Sequence, residues 1–110
     1  MKETAVAILN WNGEKFLKQF LPGVVLHSSS VADVVVIDNG STDHSIALLE
    51  ESFPTVKIVK LSGNHGFAGG YNKGLASLTE YAYFILLNSD VEVTPNWIEP
   101  VLRYMKSNTG

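Results

Sequence analysis

The sequence predicts an α/β fold, a three-layer α/β/α sandwich around a mainly parallel sheet, formed by one domain over residues 1–110. Three observations carry that expectation. Four short apolar runs, Ala5 to Leu9, Val34 to Ile37, Val56 to Leu61 and Tyr83 to Leu87, are spaced along the chain, and most are rich in Val and Ile. Segments with helical spacing separate them, giving the order βαβαβαβα. The sharpest polar residues, Asn10 and Asn12, Asp38 and Asn39, Asn64, and Asn88 to Asp90, follow the apolar runs directly. In a parallel sheet those positions share one rim, the place where ligands bind in such folds.

Taken in order, Ala5 to Leu9 is a nearly continuous apolar run, as expected of a strand buried on both faces. Phe16, Leu17, Phe20 and Leu21 can share a helix face, and Pro22-Gly23 marks an expected break. Val34 to Ile37 is a second buried strand. Ser41-Thr42-Asp43 supplies caps for a helix carrying Ile46, Leu48, Leu49 and Phe53, which must stop before Pro54. The third run alternates, with Lys57 and Lys60 breaking Val56, Ile58 and Leu61, so it suits a sheet edge. Tyr71, Leu75 and Leu78 form a helical stripe after a glycine-rich stretch. Tyr83 to Leu87 is the fourth strand. Thr94 then offers an N-cap and Pro95 an N1 residue for a helix with Ile98, Val101, Leu102 and Met105.

The composition is that of a globular domain: 110 residues, 45% hydrophobic and 17% charged, with a formal charge of -3. Without a basic stripe, a nucleic-acid partner has no electrostatic support. The chain has no cysteine, which excludes disulfides and thiolate metal sites. No apolar segment approaches the roughly 20 residues that span a bilayer. A cytoplasmic protein is expected, or one peripheral to the inner face of the membrane through further parts.

Each polar cluster has a chemical reading and a plainer one. Asn10 and Asn12 can donate to and accept from a heteroaromatic base or ribose; equally, Asn12 can cap the following helix. Asp38 can accept the imide N–H of a uracil or thymine ring, or simply organise the turn through Gly40 and Ser41. Within Gly63-Asn64-His65-Gly66-Phe67-Ala68-Gly69-Gly70, the glycines can expose amides to a diphosphate at a helix N-terminus, or let helix and sheet pack closely. The stretch lacks the Gly-Lys-Ser/Thr of a Walker loop, and it follows the third strand, unlike a dinucleotide fingerprint. His65 reads as a loop residue. Asn88-Ser89-Asp90 ends a very apolar strand, where a carboxylate can hold Mg²⁺ or Mn²⁺ together with substrate phosphates, or mark an ordinary strand exit.

In this order and spacing the four motifs resemble the inverting glycosyltransferase family 2 with its GT-A fold, over nearly the whole chain. Gly66-Phe67-Ala68-Gly69-Gly70-Tyr71-Asn72-Lys73-Gly74 and Leu87-Asn88-Ser89-Asp90-Val91 are most similar to its rhamnosyltransferase-like branch. The resemblance implies that Asn10 and Asn12 line a base and ribose pocket and that Asp38 reads the pyrimidine. It implies that Asn64 and Ser89 belong to the same donor site, with Gly69, Gly70 and Asn72 near the diphosphate and donor sugar. Asn88 and Asp90 match the two ends of the family's Asp-X-Asp motif, the first facing ribose and the second holding the metal. Two positions depart from the pattern: Asn88 replaces the first carboxylate, and Tyr71 stands where many members carry Arg.

The implied activity is transfer of a sugar from a UDP- or dTDP-sugar to a saccharide or lipid-linked acceptor, in polysaccharide or cell-envelope synthesis. Family members continue well beyond this length with acceptor-binding strands and an Asp or Glu base. The chain is therefore expected to be the donor-binding portion, with the base beyond Gly110 and little activity alone. Of the later carboxylates, Glu92 follows the metal motif too closely, and Glu99 is expected on a solvated helix face. Loss of neighbours beside the fourth strand predicts self-association. Two rival folds fit less well. A flavodoxin-like signalling domain would want acidic residues after the first strand. A sugar nucleotidyltransferase would place its glycine-rich loop there, where only Gly13 stands.

Overall fold

A computed structural model describes residues 2–107. The elements are β1 (Thr4–Asn10), α1 (Glu14–Ser28), β2 (Asp33–Asp38), α2 (Ser45–Ser52), β3 (Lys57–Lys60), α3 (Gly66–Ala76), β4 (Tyr83–Asn88) and α4 (Ile98–Ser107). All strand pairings are parallel, in the order β3-β2-β1-β4. The register aligns Asn10 with Asp38 and Leu9 with Asn88, so the polar residues that follow each apolar run end on one rim.

Alternation along the strands divides the core between two faces. Val6 and Ile8 of β1 and Val34 and Val36 of β2 meet Leu17, Leu21 and Val24 of α1, Leu49 of α2, and Ile98 and Leu102 of α4. On the opposite face, Ala5, Ala7, Val35 and Ile37 lie under Tyr71 and Leu75 of α3, with Leu78 and Tyr81 beyond it. The chain winds outward from β1 to β3 through α1 and α2 on one face. It then crosses back through α3 on the other to place β4 beside β1. The strand order reverses there, and right-handed crossovers leave a crevice between the ends of β1 and β4. The lysine-bearing β3 is an edge strand, as its alternation predicts. Lys57 pairs there with Glu80, and Lys60 with Glu50 at 3.4 Å.

Three local expectations are corrected. First, α1 runs through Pro22-Gly23 to Ser28 without a break. An internal proline costs about 3 kcal/mol. Leu17, Leu21, Val24 and Ser28 nevertheless continue one buried stripe across it, and each apolar side chain buried there gives back about 2 kcal/mol. Second, α3 begins at Gly66, inside the glycine-rich stretch. Gly69, Gly70 and Gly74 are therefore helical, not parts of an open loop. Third, α4 begins at Ile98, after a turn closed by the Trp97 amide on the Thr94 carbonyl, with Asn96 at a φ of 63°. Thr94 and Pro95 accordingly precede the helix by several residues. Among the described residues no helix is long and apolar enough to cross a membrane.

Candidate functional site

The rim is assembled by hydrogen bonds between loops distant in sequence. At the end of β2, Asp38 turns inward and is only 3% exposed. Its Oδ2 accepts the Ser41 amide at 2.9 Å, and its Oδ1 accepts the Ser41 hydroxyl at 2.7 Å and Asn10 Nδ2 at 3.0 Å. Asn10 is fully buried; its Nδ2 also donates to Ser41 Oγ at 3.2 Å, while its Oδ1 has no partner among the described residues. Gly13 lies against that oxygen, and a Cβ there would approach Asn10 Oδ1 to 2.5 Å. Asn12, at a φ of 50°, accepts the Thr42 and Asp43 amides through Oδ1 at 2.7 and 3.1 Å. Asn10, Asn12 and Asp38 thus staple the β1–α1 loop to the β2–α2 loop. For Asp38 these bonds are those of the turn-organising reading, whereas Asn12 does not cap α1, whose N-cap position is Gly13 without a side-chain bond.

Asp43 completes this lattice. Its carboxylate accepts the Glu14 amide at 3.2 Å and the Ser45 amide at 2.9 Å, so it caps the starts of both α1 and α2. Burial works against its charge, but hydrogen bonds from Ser45 and Glu14 outweigh that penalty and hold its carboxyl below the ordinary range.

Asn39, the next residue along, ties β2 to the opposite loop. Its Nδ2 donates to Asn64 Oδ1 at 3.3 Å and to the Gly66 carbonyl at 3.1 Å, and its Oδ1 accepts the His65 amide at 3.0 Å. The approach depends on Gly40, whose φ is 82° and whose missing Cβ would lie 2.6 Å from the Gly63 Cα. Gly70 packs on the same carboxamide; a Cβ there would sit 2.8 Å from both Asn39 Nδ2 and Leu9 Cδ1. Gly70 and Gly74 therefore serve close helix–sheet packing.

These contacts leave an open cavity of about 380 Å³ at the crevice where the strand order reverses. Of the sequence-predicted residues, Asn64, Asn88, Ser89 and Asp90 line it. Asn10, Asn12, Asp38, Gly69, Gly70 and Asn72 do not. Asn10 and Asp38 end β1 and β2, Asn12 follows in the stapled β1–α1 loop, and the last three lie along α3. Asp38 ends β2 and Asp90 follows the end of β4 on the same rim, the two strands being two spacings, roughly 10 Å, apart. Asn39, a rim residue in the sequence to which no role was given, also lines it, and the lining residues that sequence reasoning passed over include three aromatics, Trp11, Phe16 and Phe67, each about half exposed or more. The available signal was their position: Trp11 and Asn39 directly follow buried strands, and Phe67 lies within the glycine-rich stretch. Glu99, expected on a solvated face, is half-buried, with Oε1 shielded from solvent.

The lining mixes aromatic faces with carboxamides, one hydroxyl and one carboxylate, and includes no Lys or Arg. Such a site can stack a planar ring and bind hydroxyls. A diphosphate placed beside Asp90 would meet like charge unless a cation lay between them. Among the described residues no three His, Cys, Asp or Glu side chains cluster to hold a metal unaided. The oxygen donors Asn88 and Asp90, both exposed, and half-buried Ser89 suit a hard cation that takes further ligands from phosphates.

Known proteins share this fold. TarS of Staphylococcus aureus (residues 1–349), solved in complex with UDP-GlcNAc, superposes with a TM-score of 0.79 at 22% identity, over 97% of this chain and 32% of its own. A Pyrobaculum calidifontis mannosyltransferase, solved with GDP-Man and Mn²⁺, superposes with a TM-score of 0.65 at 18% identity, over 82% of this chain and 28% of its own. The fold is thus that of the GT-A glycosyltransferases. In sequence, an uncharacterized glycosyltransferase of Haemophilus influenzae is 27% identical over 94% of this chain and 33% of its own length. The N-acetylglucosaminyl-diphospho-decaprenol L-rhamnosyltransferase of Mycobacterium tuberculosis is 26% identical over 88% of this chain and 35% of its own. The chain spans about a third of the length of these relatives. The glycosyl transferase family 2 model matches residues 5–110, and on that match the chain belongs to glycosyl transferase family 2.

Proposed function

We propose that the chain is the donor-binding portion of an inverting glycosyltransferase that takes a UDP- or dTDP-sugar and delivers the sugar to a saccharide or lipid-linked acceptor. The observation that carries this reading is the cavity at the β1/β4 crevice, lined by Trp11 on one strand end and by Asn88, Ser89 and Asp90 on the other. Trp11, 54% exposed, offers a planar face to the base. Asn39 and Asn64 are held together beside it, and Asn88 and Ser89 can meet ribose and sugar hydroxyls. The diphosphate fits near the start of α3, where Gly66 and Phe67 line the cavity and the N-terminal end of the helix dipole favours negative charge. Gly69 and Gly70 lie in the first turns of that helix, with Asn72 two residues further.

Asp90 would hold Mg²⁺ or Mn²⁺ together with the phosphates. A cation bound there would offset charge on the departing diphosphate. In the complete enzyme an acceptor hydroxyl, deprotonated by a base, attacks the anomeric carbon in line as the nucleoside diphosphate leaves, inverting that centre. Glu92 and Glu99 follow Asp90, and neither lines the cavity. We place the base and the acceptor site outside these 110 residues, in keeping with relatives about three times as long. Transferase activity from this chain alone is therefore expected to be negligible.

Calorimetric titration with UDP and dTDP, with and without Mn²⁺, tests the donor site on the native chain and on Asp90→Ala. The native chain should bind more tightly with metal, and Asp90→Ala should lose that gain, a change of roughly tenfold or about 1.4 kcal/mol. Trp11 fluorescence should follow the same titration. Trp97, half-buried with Nε1 bonded to Ser28 Oγ at 3.0 Å, should contribute no change. Absence of nucleotide binding by the native chain refutes the reading.

A further inference from the structure

We propose that Tyr71 is a positioning residue of this site: its hydroxyl clamps the ends of β1 and β4 together and so sets the width of the crevice between Trp11 and Asn88–Asp90. The inference rests on the donor-site reading for its ligand but on separate geometry for its mechanism. Tyr71 enters from α3 and is 4% exposed. Its oxygen accepts the Leu9 amide at 3.2 Å, and its O–H donates to the Leu87 carbonyl at 3.1 Å. One phenol hydroxyl thus bonds two strands whose residues lie 62 and 16 positions away. Burial raises its pKa despite the opposing Leu9 hydrogen bond, so it remains a donor at neutral pH.

The location gives the clamp its consequence. Leu9 and Asn88 form the last register pair between β1 and β4, and the cavity-lining residues Asn88, Ser89 and Asp90 begin immediately there. In the four-stranded sheet β4 has one neighbour, β1, so its carboxyl end is tied to the sheet from one side. The Tyr71 bridge adds a tie to that end from the helix layer. Phe67, which lines the cavity, meets the Tyr71 ring edge-on with centroids 5.1 Å apart and planes at 75°. A ligand touching both Phe67 and Asp90 is therefore coupled through Tyr71. The hydroxyl has its donor and one acceptor position used, so substitution by Phe removes both bonds while keeping the ring.

The test compares Tyr71→Phe with Tyr81→Phe, a second buried tyrosine whose hydroxyl bonds Asp33 Oδ2 at 2.7 Å at the opposite end of the sheet. UDP binding is measured with and without Mn²⁺, and amide resonances of Leu9, Ser89 and Asp90 are followed by NMR. In Tyr71→Phe the metal-dependent gain in UDP affinity should fall about fivefold to tenfold, the equivalent of one hydrogen bond. Metal-free affinity should stay within about twofold of native, a change smaller than one such bond. The Ser89 and Asp90 amides should shift, and Leu9 should exchange faster. Tyr81→Phe should lose thermal stability without any of these changes. Native metal-dependent affinity in Tyr71→Phe overturns the clamp, as does an equal loss of binding in both variants. Should the native chain bind no UDP, the donor-site reading fails; the NMR arm then decides alone, and unshifted Ser89 and Asp90 amides in Tyr71→Phe refute the clamp.

Discussion

Two glycine-to-alanine substitutions inside helices should have opposite signs, because one position is open and the other is filled by a neighbour. Gly23 lies within α1, and a Cβ added there meets nothing within 4 Å. Alanine should stabilise the helix by about 0.5–1 kcal/mol, since glycine loses more backbone freedom on folding. Gly74 lies within α3, and its added Cβ would approach Ile37 Cδ1 and Cγ2 to 2.5 Å and Cγ1 to 2.8 Å. Ile37 is fully buried in β2 and packed with Ala7 and Tyr71, so it has no free rotamer to escape into. Overpacking of that kind costs about 1–3 kcal/mol, offset in part by the same helical gain. The two variants should therefore differ by about 1–3 kcal/mol. With about 4 °C per kcal/mol for a domain near this size, that is roughly 4–12 °C in Tm. Thermal and urea unfolding of Gly23→Ala, Gly74→Ala and the native chain under identical conditions measure the difference. A Gly74→Ala variant that melts at or above Gly23→Ala would refute the packing account and leave helix propensity as the governing term.

Two further outcomes follow from the loop lattice. Asn39→Ala strands the His65 amide and removes the ties to Asn64 and the Gly66 carbonyl; it should cost about 2 kcal/mol in urea unfolding and weaken UDP binding by loosening Asn64, and unchanged stability would contradict it. Asp43 has a folded-state pKa below its ordinary 3.8, so its contribution to stability is complete above that value and is lost as pH falls through the folded pKa. The stability advantage of the native chain over Asp43→Asn should accordingly be flat near neutrality and shrink under acid, read from urea midpoints across the pH range; an advantage that grows on acidification reverses the assigned sign.

Much of the fold was legible because it rests on local periodicity. Ala5 to Leu9 and Val34 to Ile37 are apolar at consecutive positions, which water tolerates only when both sheet faces are covered. That alone implies helices on either side and parallel pairing. Lys57 and Lys60 place β3 at an edge for the converse reason, that a charged side chain needs an exit to solvent. The polar residues after each strand then fall on one rim, and the cavity with Asn64, Asn88, Ser89 and Asp90 is where that pattern points.

Packing and hydrogen bonds between separate elements decided most of the rest. Pro22 stays helical because Leu21 and Val24 bury themselves against the sheet, a benefit absent from any local preference. Gly70 and Gly74 are required by Asn39, Leu9 and Ile37, which approach from other strands, so a glycine-rich stretch that reads as a loop becomes a packed helix. Asp38 looks like a ligand-facing carboxylate in the chain but is engaged by Ser41 within its own turn and, once β1 and β2 align, by Asn10. Asn39, one residue later, faces the opposite loop and lines the cavity. By itself the sequence determined which residues must be covered and which must reach water. The tertiary structure decided which polar groups find each other, because hydrogen-bond partners are set by the positions of separate strands and loops, and no local pattern encodes those positions.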